Sequence, residues 1–393
     1  MNQPRRAGLI ALSLLALASI FLAYWPLRGE DFIYYYCAGR SAATGRSPYE
    51  VEPYQACIAE VLGRPNPNVS KDTGSVYPPP AIALFRAFAA LPYSAAFALW
   101  NAALLSASAA LLWETSADPA AWLLLLSWPA FISCWAYHKM SIPLLLIFLI
   151  GMRLVDRGRH RLGGGLLCVL CVQPQWLGAA ALYLAAQKRW RALGALAAAS
   201  LLIFAAAPHA WLYQWVSSAA FHSENVIGFD NQSLFLSLYR PMRTLFVVDL
   251  RWFQIARYGT SLALGLLAWR CAAKKNSESL GLFLGLALLA QPYSHVSDGV
   301  WIFPLYMSVL ARFESRLRWT RPNAIGAGLL FNAAAVIAAG GFLPGRMHRP
   351  DDVFRQGYLA CAVAALYALS RARETSDAAR SLTSSGPGPT LRA

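Results

Sequence analysis

Residues 5–36 read RRAGLIALSLLALASIFLAYWPLRGEDFIYYY. The apolar run 7–27 follows two arginines and is long enough to cross a bilayer as one helix. A basic start and an Ala-x-Ala pattern also mark signal peptides, but this run stays apolar beyond that pattern. We therefore predict a retained first span at roughly 8–27. Basic residues favour the cytoplasmic side of a membrane, which places Asp31 just past the outer end of the span.

The composition predicts an all-α protein that crosses a membrane several times. Of 393 residues, 57% are hydrophobic and only 13% are charged, whereas a soluble domain carries about 25% charged residues. Apolar runs of spanning length recur along the chain. The net charge of +15 lies mostly in short segments between these runs. That distribution is typical of cytoplasmic loops, so we predict no nucleic-acid partner.

The order of apolar and polar segments predicts the path of the chain across the membrane. A first outer loop, 28–92, contains an interfacial helix that begins near Tyr77-Pro78-Pro79-Pro80. A span at 93–113 returns to the inside, and segments 119–136 and 141–154 follow with a turn between them. Segment 162–186 is either one straight span or a hairpin that turns at Gln173-Pro174. We favour the hairpin because it puts the basic clusters on both sides of this segment in the cytoplasm.

The second half of the chain completes about twelve helical segments. A second outer loop covers 208–251, a third broken pair turns at 291–295, and spans at roughly 323–343 and 355–370 follow. Both termini are then cytoplasmic. Residues 1–370 form one transmembrane domain, and the polar tail 371–393 is predicted to be disordered. The turns at 138–139, 173–175 and 294–295 all face outward, so their polar side chains are expected to line one outer cavity.

The cysteines and histidines give no sign of a metal site or a bound cofactor. Cys168 and Cys171 have metal-ligand spacing, but they lie in an apolar helix without a partner pair, so we interpret them as small buried residues. Cys37 and Cys57 both fall in the first outer loop. A disulfide between them is one possibility in an oxidising compartment.

Several short motifs resemble, in order, those of glycosyltransferase family 87, the polyprenol-phosphate-dependent mannosyltransferases of the GT-C superfamily. The resemblance rests on Asp31 with Tyr35 or Tyr36 and Ala38, Gly45-x-x-Pro48-Tyr49, Tyr77-Pro78-Pro79, Leu91-Pro92 with Trp100, Asn231-Gln232-Ser233 with Arg240, and Pro292-Tyr293-Ser294-His295. These motifs cover most of the chain. Two positions depart from the family pattern. His138-Lys139 stands where Gly-Gln is frequent, and Gln173 stands where lysine often precedes the proline.

The resemblance implies a GT-C fold and an inverting transfer on the periplasmic side of a bacterial inner membrane. The donor would be a sugar on polyprenyl phosphate, mannose or a related hexose or pentose, and the acceptor a glycolipid or glycan. Asp31 would be the general base, with Glu30 the less favoured choice. The simpler interpretation of Asp31 is a helix cap or an ion pair with Arg28 or Arg40.

Further residues are candidates for contacts with the donor and the sugar. The donor phosphate needs cationic or hydrogen-bonding partners, and the candidates are His295, Lys139, His138, Arg240 and Arg243. These cations could equally snorkel or bind lipid headgroups. The candidates for the substrate are Asn231, Gln232, Ser233, Tyr35 and Tyr77. The first three could instead cap a helix, and most aromatic residues are interpreted as interfacial anchors.

Two other functions are compatible with this sequence. One is a transporter or flippase for a lipid-linked sugar, although the broken helices do not fall into two related halves. The other is a catalytically silent relative, which the absent lysine before Pro174 keeps open. The chain carries no nucleotide-binding motif, which makes a nucleotide-sugar donor the less favoured choice.

Overall fold

A computed structural model describes residues 30–63, 74–115, 119–225, 250–274, 279–291, 296–305 and 307, and all regular structure in these ranges is helical. The α-helices are α1 Glu30–Ala43, α2 Val51–Leu62, α3 Pro79–Phe88, α4 Tyr93–Thr115, α5 Pro119–Leu126, α6 Pro129–Tyr137, α7 Ser141–Asp156, α8 His160–Leu167, α9 Pro174–Ala186, α10 Trp190–Ala205, α11 His209–Asn225, α12 Leu250–Ala273 and α13 Ser279–Ala290. Two 3₁₀ helices, Cys168–Val172 and Val296–Ile302, follow α8 and α13. The all-helical prediction is thus confirmed for the described part. The predicted spans at 8–27, 323–343 and 355–370 and the tail lie outside it.

Helix length and composition identify candidate membrane spans among the described residues. Tyr93–Glu114 is long and apolar enough to cross a bilayer by itself. Two further spans arise if each bent pair counts as one, namely Ala130–Tyr137 with Ser141–Asp156, bent by 119°, and Trp190–Ala205 with His209–Ser218, bent by 100°. The predicted number of about twelve segments stays a prediction.

Proline explains where the apolar segments break. Its ring removes a backbone donor and clashes with the preceding turn, so a helix interior rarely accommodates it. The predicted segment 119–136 is in fact two helices, because α6 begins at Pro129 after a break at Ser127–Trp128. The predicted break at Gln173 is present, since a 3₁₀ turn ends at Val172 and α9 begins at Pro174. Pro79 likewise occupies the first turn of α3, where its missing N–H is not needed.

The structure chooses between the straight span and the hairpin for residues 162–186. A straight helix of that length would separate its two ends by roughly 37 Å. Instead, Gly164 near the start of α8 lies directly against the backbone of Ala192 at the start of α10. Arg189 also pairs with Asp156 at the end of α7, at 3.3 Å. The hairpin is therefore correct, and the two flanking basic clusters meet at one end of the helical bundle.

We call this region the basic end, and its cationic members are Arg153, Arg157, Arg159, Arg161, Lys188, Arg189 and Arg191. The last turn of α4 also reaches it, because Glu114 forms an ion pair with Arg153. The Gln187 amide donates a hydrogen bond to the carbonyl of Ala272, which brings the end of α12 to the same level. Helices α4, α7, α9 and α12 therefore all finish at the basic end.

The described residues of the predicted first outer loop form a packed helical layer at the opposite end of these helices, and we call it the α1–α3 layer. A disulfide joins Cys37 of α1 to Cys57 of α2, so the possible pairing of these cysteines is formed in the structure. α11 lies over the same layer, although sequence predicted only a loop there. The Ser47 hydroxyl donates to the Gln214 side-chain oxygen at 2.7 Å, and the Ser218 hydroxyl donates to the Ser75 carbonyl at 3.1 Å.

Candidate active site

The turn between α6 and α7 positions the backbone of Lys139. The N–H of Lys139 donates to the Cys134 carbonyl at 2.9 Å, and the N–H of His138 donates to the Trp135 carbonyl at 3.3 Å. These two hydrogen bonds form a Schellman motif, which ends a helix and requires a residue in the left-handed conformation. His138 adopts that conformation with φ of 58°, which is uncommon for a residue other than glycine. The backbone of Lys139, from which its side chain extends, is therefore held in place by hydrogen bonds.

Asp31 and Lys139 form the central contact of this region. The ammonium lies 2.5 Å from Oδ2 of Asp31, and the two side chains are only 13% and 12% exposed. Asp31 stands in the first turn of α1, where the helix dipole also favours a negative charge. The alternative pairing with Arg40 is wrong, because that guanidinium pairs with Glu60 at 3.0 Å. The other alternative, Arg28, lies outside the described residues.

Tyr54 of α2 completes the layer beside this ion pair. Its side chain is buried. Burial raises the pKa of the Tyr54 phenol well above its usual value, and the nearby Tyr34 and Asp31 raise it further. The phenol therefore stays protonated and neutral next to the carboxylate. The disulfide at Cys57, one helical turn after Tyr54, holds α2 against the helix that carries Asp31.

A second carboxylate approaches the same turn from the far end of the described chain. Asp298, in the second 3₁₀ helix, is 2% exposed, and its Oδ1 accepts a hydrogen bond from the Ser141 hydroxyl at 2.8 Å. Ser141 is two residues beyond Lys139. The segment after the predicted turn at 294–295 thus contacts the turn at 138–139, although the two are more than 150 residues apart in sequence.

The break at Gln173 lies in the same region. Trp176, in the first turn of α9, stacks on Trp301 with ring centroids 3.7 Å apart and planes within 7°. Trp301 also contacts Phe148 of α7, at 5.4 Å between centroids. The segments next to all three predicted turns therefore meet, together with α1, at the end of the bundle opposite the basic end. We call this the acidic–lysine end, defined by Asp31, Lys139, Ser141 and Asp298.

Three other candidate residues are part of the described structure, and each packs against protein. His138 is 2% exposed, its ring lies 4.7 Å from that of Phe97, and its carbonyl accepts a bond from the Trp100 indole at 3.0 Å. The rings of Tyr35 and Tyr77 lie 4.4 Å apart, with Tyr35 buried. A phosphate contact for His138 and substrate contacts for Tyr35 and Tyr77 stay predictions.

The remaining predicted site residues lie outside the described ranges: His295, Arg240, Arg243, Asn231, Gln232 and Ser233. Glu30, the alternative base, belongs to α1, but its side chain is also outside the description. The part of the chain that the structure describes contains no group of three or more His, Cys, Asp or Glu side chains able to hold a metal ion. The prediction of a metal-free, cofactor-free site is not tested by that observation.

Tyr54, Ser141 and Asp298 were not predicted to be site residues from the sequence. A signal for Tyr54 was available, because a disulfide between Cys37 and Cys57 would bring it close to the first turn of α1. Ser141 and Asp298 gave no comparable signal, since a serine before Ile-Pro and an aspartate before glycine are ordinary features. Only their contact at 2.8 Å shows that they belong together.

These observations define a class of protein. It is helical and has apolar helices long enough to be candidate membrane spans. At one end, among broken helices, a carboxylate and an ammonium form a largely buried ion pair. A carboxylate can accept a proton, and an ammonium can bind an anionic oxygen.

Comparison with known families identifies the particular one. The model of glycosyltransferase family 87 matches residues 76–292, more than half of the chain. The chain therefore belongs to glycosyltransferase family 87, which confirms the resemblance inferred from its motifs. Asp31 lies before the matched region, whereas Lys139 and Ser141 lie within it. Neither the search of curated proteins nor the search of solved structures finds a match to this chain.

Proposed function

We propose that this glycosyltransferase moves a sugar from a polyprenyl-phosphate donor to a lipid or glycan acceptor, with inversion at the anomeric carbon. The transferred sugar is mannose or a related hexose or pentose. Asp31 is the general base, and Lys139 binds the donor phosphate. The observation that carries the proposal is the largely buried ion pair of Asp31 and Lys139, with 2.5 Å between Nζ and Oδ2.

The two side chains match the two requirements of a direct displacement. The acceptor hydroxyl gives its proton to the Asp31 carboxylate while its oxygen forms a bond to the anomeric carbon. The bond from that carbon to the phosphate oxygen breaks, and its electron pair stays on the departing polyprenyl phosphate. The donor is a phosphodiester with one negative charge, and the leaving monoester carries two. An ammonium in a partly water-excluded site stabilises that developing charge.

Two features favour an outer location for the acidic–lysine end. The basic end lies at the other side of the bundle, and basic loops remain in the cytoplasm. The disulfide between Cys37 and Cys57 joins the two helices that form the layer around Asp31. Disulfides persist in oxidising compartments such as the periplasm and are rare in the cytosol. Both features support a periplasmic site in a bacterial inner membrane.

The location can be checked by labelling engineered cysteines in intact cells. Arg46 is exposed in the α1–α3 layer, and Arg157 is exposed at the basic end. A membrane-impermeant maleimide is expected to label Arg46→Cys in intact cells and Arg157→Cys only after the membrane is opened. The parent protein provides the background. The reverse pattern would contradict a periplasmic site.

The reaction itself is tested by reconstitution in liposomes with a pool of lipid and glycan acceptors. Synthetic polyprenyl-phosphate mannose, the corresponding glucose and pentose compounds, and nucleotide sugars are supplied separately. We expect a new glycosidic product from one polyprenyl-linked sugar and none from the nucleotide sugars. A product formed only from a nucleotide sugar would exclude the proposed donor. Movement of the lipid-linked sugar across the bilayer without a new glycosidic bond would identify a flippase instead.

A further inference from the structure

We propose that Lys139 also couples donor binding to the activation of Asp31, and this inference rests on the proposed function. Without donor, the ammonium is held by the Asp31 carboxylate. When the donor phosphate arrives, the ammonium moves to it and the carboxylate becomes available to the acceptor hydroxyl. The enzyme would therefore expose a competent base only when the sugar donor is present.

The two roles assigned to Lys139 conflict in the structure as it stands. The Lys139 ammonium is 2.5 Å from Oδ2 of Asp31. A carboxylate that shares its charge with a neighbouring cation is a weaker proton acceptor than an unpaired one. The donor phosphate needs the same cation. An exchange of the ammonium from the carboxylate to the phosphate meets both requirements.

The charges of the reaction favour that exchange. At the start, Asp31 and the donor phosphodiester each carry one negative charge, so they compete for one ammonium. During transfer Asp31 gains a proton and loses its charge, while the departing phosphate gains a second charge. The attraction for Lys139 therefore falls at Asp31 and rises at the phosphate as the bonds change. An interaction that strengthens toward the transition state increases the rate of the chemical step.

The local structure allows the side chain to move without moving the backbone. The backbone of Lys139 is held by its bond to the Cys134 carbonyl, at 2.9 Å. Its four-carbon side chain has several rotatable bonds. A shift of the ammonium by a few ångströms needs only a change of rotamer.

Two polar side chains near this ion pair, Tyr54 and Asp298, carry no positive charge. Tyr54 is neutral because burial raises the pKa of its phenol well above the usual value. Asp298 is a second carboxylate nearby, but its Oδ1 is engaged by the Ser141 hydroxyl at 2.8 Å. The exchange requires the contact between the Lys139 ammonium and Oδ2 of Asp31 to break.

The test measures the chemical reactivity of Asp31 directly. Purified full-length protein in nanodiscs is treated with a carbodiimide and an amine, and modification of Asp31 is quantified by peptide mass spectrometry. The probe is polyprenyl phosphate without sugar, which supplies the phosphate but permits no transfer. We expect modification of Asp31 to rise several-fold on addition of the lipid in the wild type. In Lys139→Met it should be high already and unchanged by the lipid.

Two controls separate this inference from the proposed function. Lys139→Arg keeps the cation and should retain the lipid-dependent increase, which guards against a folding defect in the methionine variant. Asp156, 65% exposed at the basic end, should react equally with and without lipid. Constant Asp31 reactivity in the wild type would overturn the coupling even if the liposome assay showed transfer. Failure of transfer from every polyprenyl-linked sugar, despite the expected labelling, would overturn the function and leave the ion-pair exchange standing.

Discussion

Asp31→Asn is expected to lower sugar transfer by about 10²–10⁴-fold, the usual contribution of a positioned general base. The amide has nearly the same shape as the carboxylate but cannot accept the proton of the acceptor hydroxyl. Donor binding should persist, because the Lys139 ammonium is retained and no longer pairs with a charged side chain at position 31. The measurement is initial-rate transfer in liposomes together with binding of labelled polyprenyl phosphate.

The matched control for this substitution is Asp156→Asn. Asp156 also pairs with a cation, Arg189 at 3.3 Å, but it is exposed and lies at the basic end. Exposed pairs of this kind contribute at most about 1 kcal/mol to stability, so transfer and folding should be nearly unchanged. Asp31→Asn with full activity and normal thermal stability would show that another group is the base. Glu30 would then be the next residue to test.

Gly39→Val is expected to destabilise the packing of the α1–α3 layer. A Cβ at Gly39 would lie 2.5 Å from both the carbonyl carbon and the oxygen of Phe85, and 2.8 Å from the N of Arg86. These are backbone atoms of α3, so no rotamer change can relieve the clash. Overpacking of this kind costs about 1–3 kcal/mol, and α1 must move away from α3.

The displacement should also reach the site, because α1 carries both Gly39 and Asp31. We expect a lower unfolding temperature in detergent, measured by thermal aggregation, together with reduced sugar transfer. Gly194→Val is the control, since that glycine has nothing within 4 Å of its added Cβ and lies on an exposed face of α10. Equal effects of the two substitutions would mean that the contact between α1 and α3 does not determine the stability of this layer.

The helices were largely predictable because prolines and the lengths of apolar runs determine where a helix begins and ends, and both are visible within a short stretch of sequence. The predicted start of α3 near Pro79, the span at 93–113 and the break at Gln173-Pro174 all agree with the structure to within a few residues. The break at Ser127–Trp128 was missed although Pro129 was visible, because the surrounding residues are uniformly apolar. α11 was missed because its sequence mixes aromatic and polar residues without a clear membrane-spanning pattern.

The sequence by itself determined the class of protein, the family and the candidate base. Composition and charge distribution predict membrane segments because the free energy of transfer from water to lipid depends on the residues of each segment alone. Tertiary structure decided which cation pairs with Asp31. Lys139, 108 positions away, was one of five phosphate candidates, and Arg40 was a nearer partner in sequence. The Schellman turn at His138, the disulfide of α1 with α2 and the contact of Ser141 with Asp298 bring these groups together. Such pairing depends on how distant helices pack, which no local pattern of residues encodes.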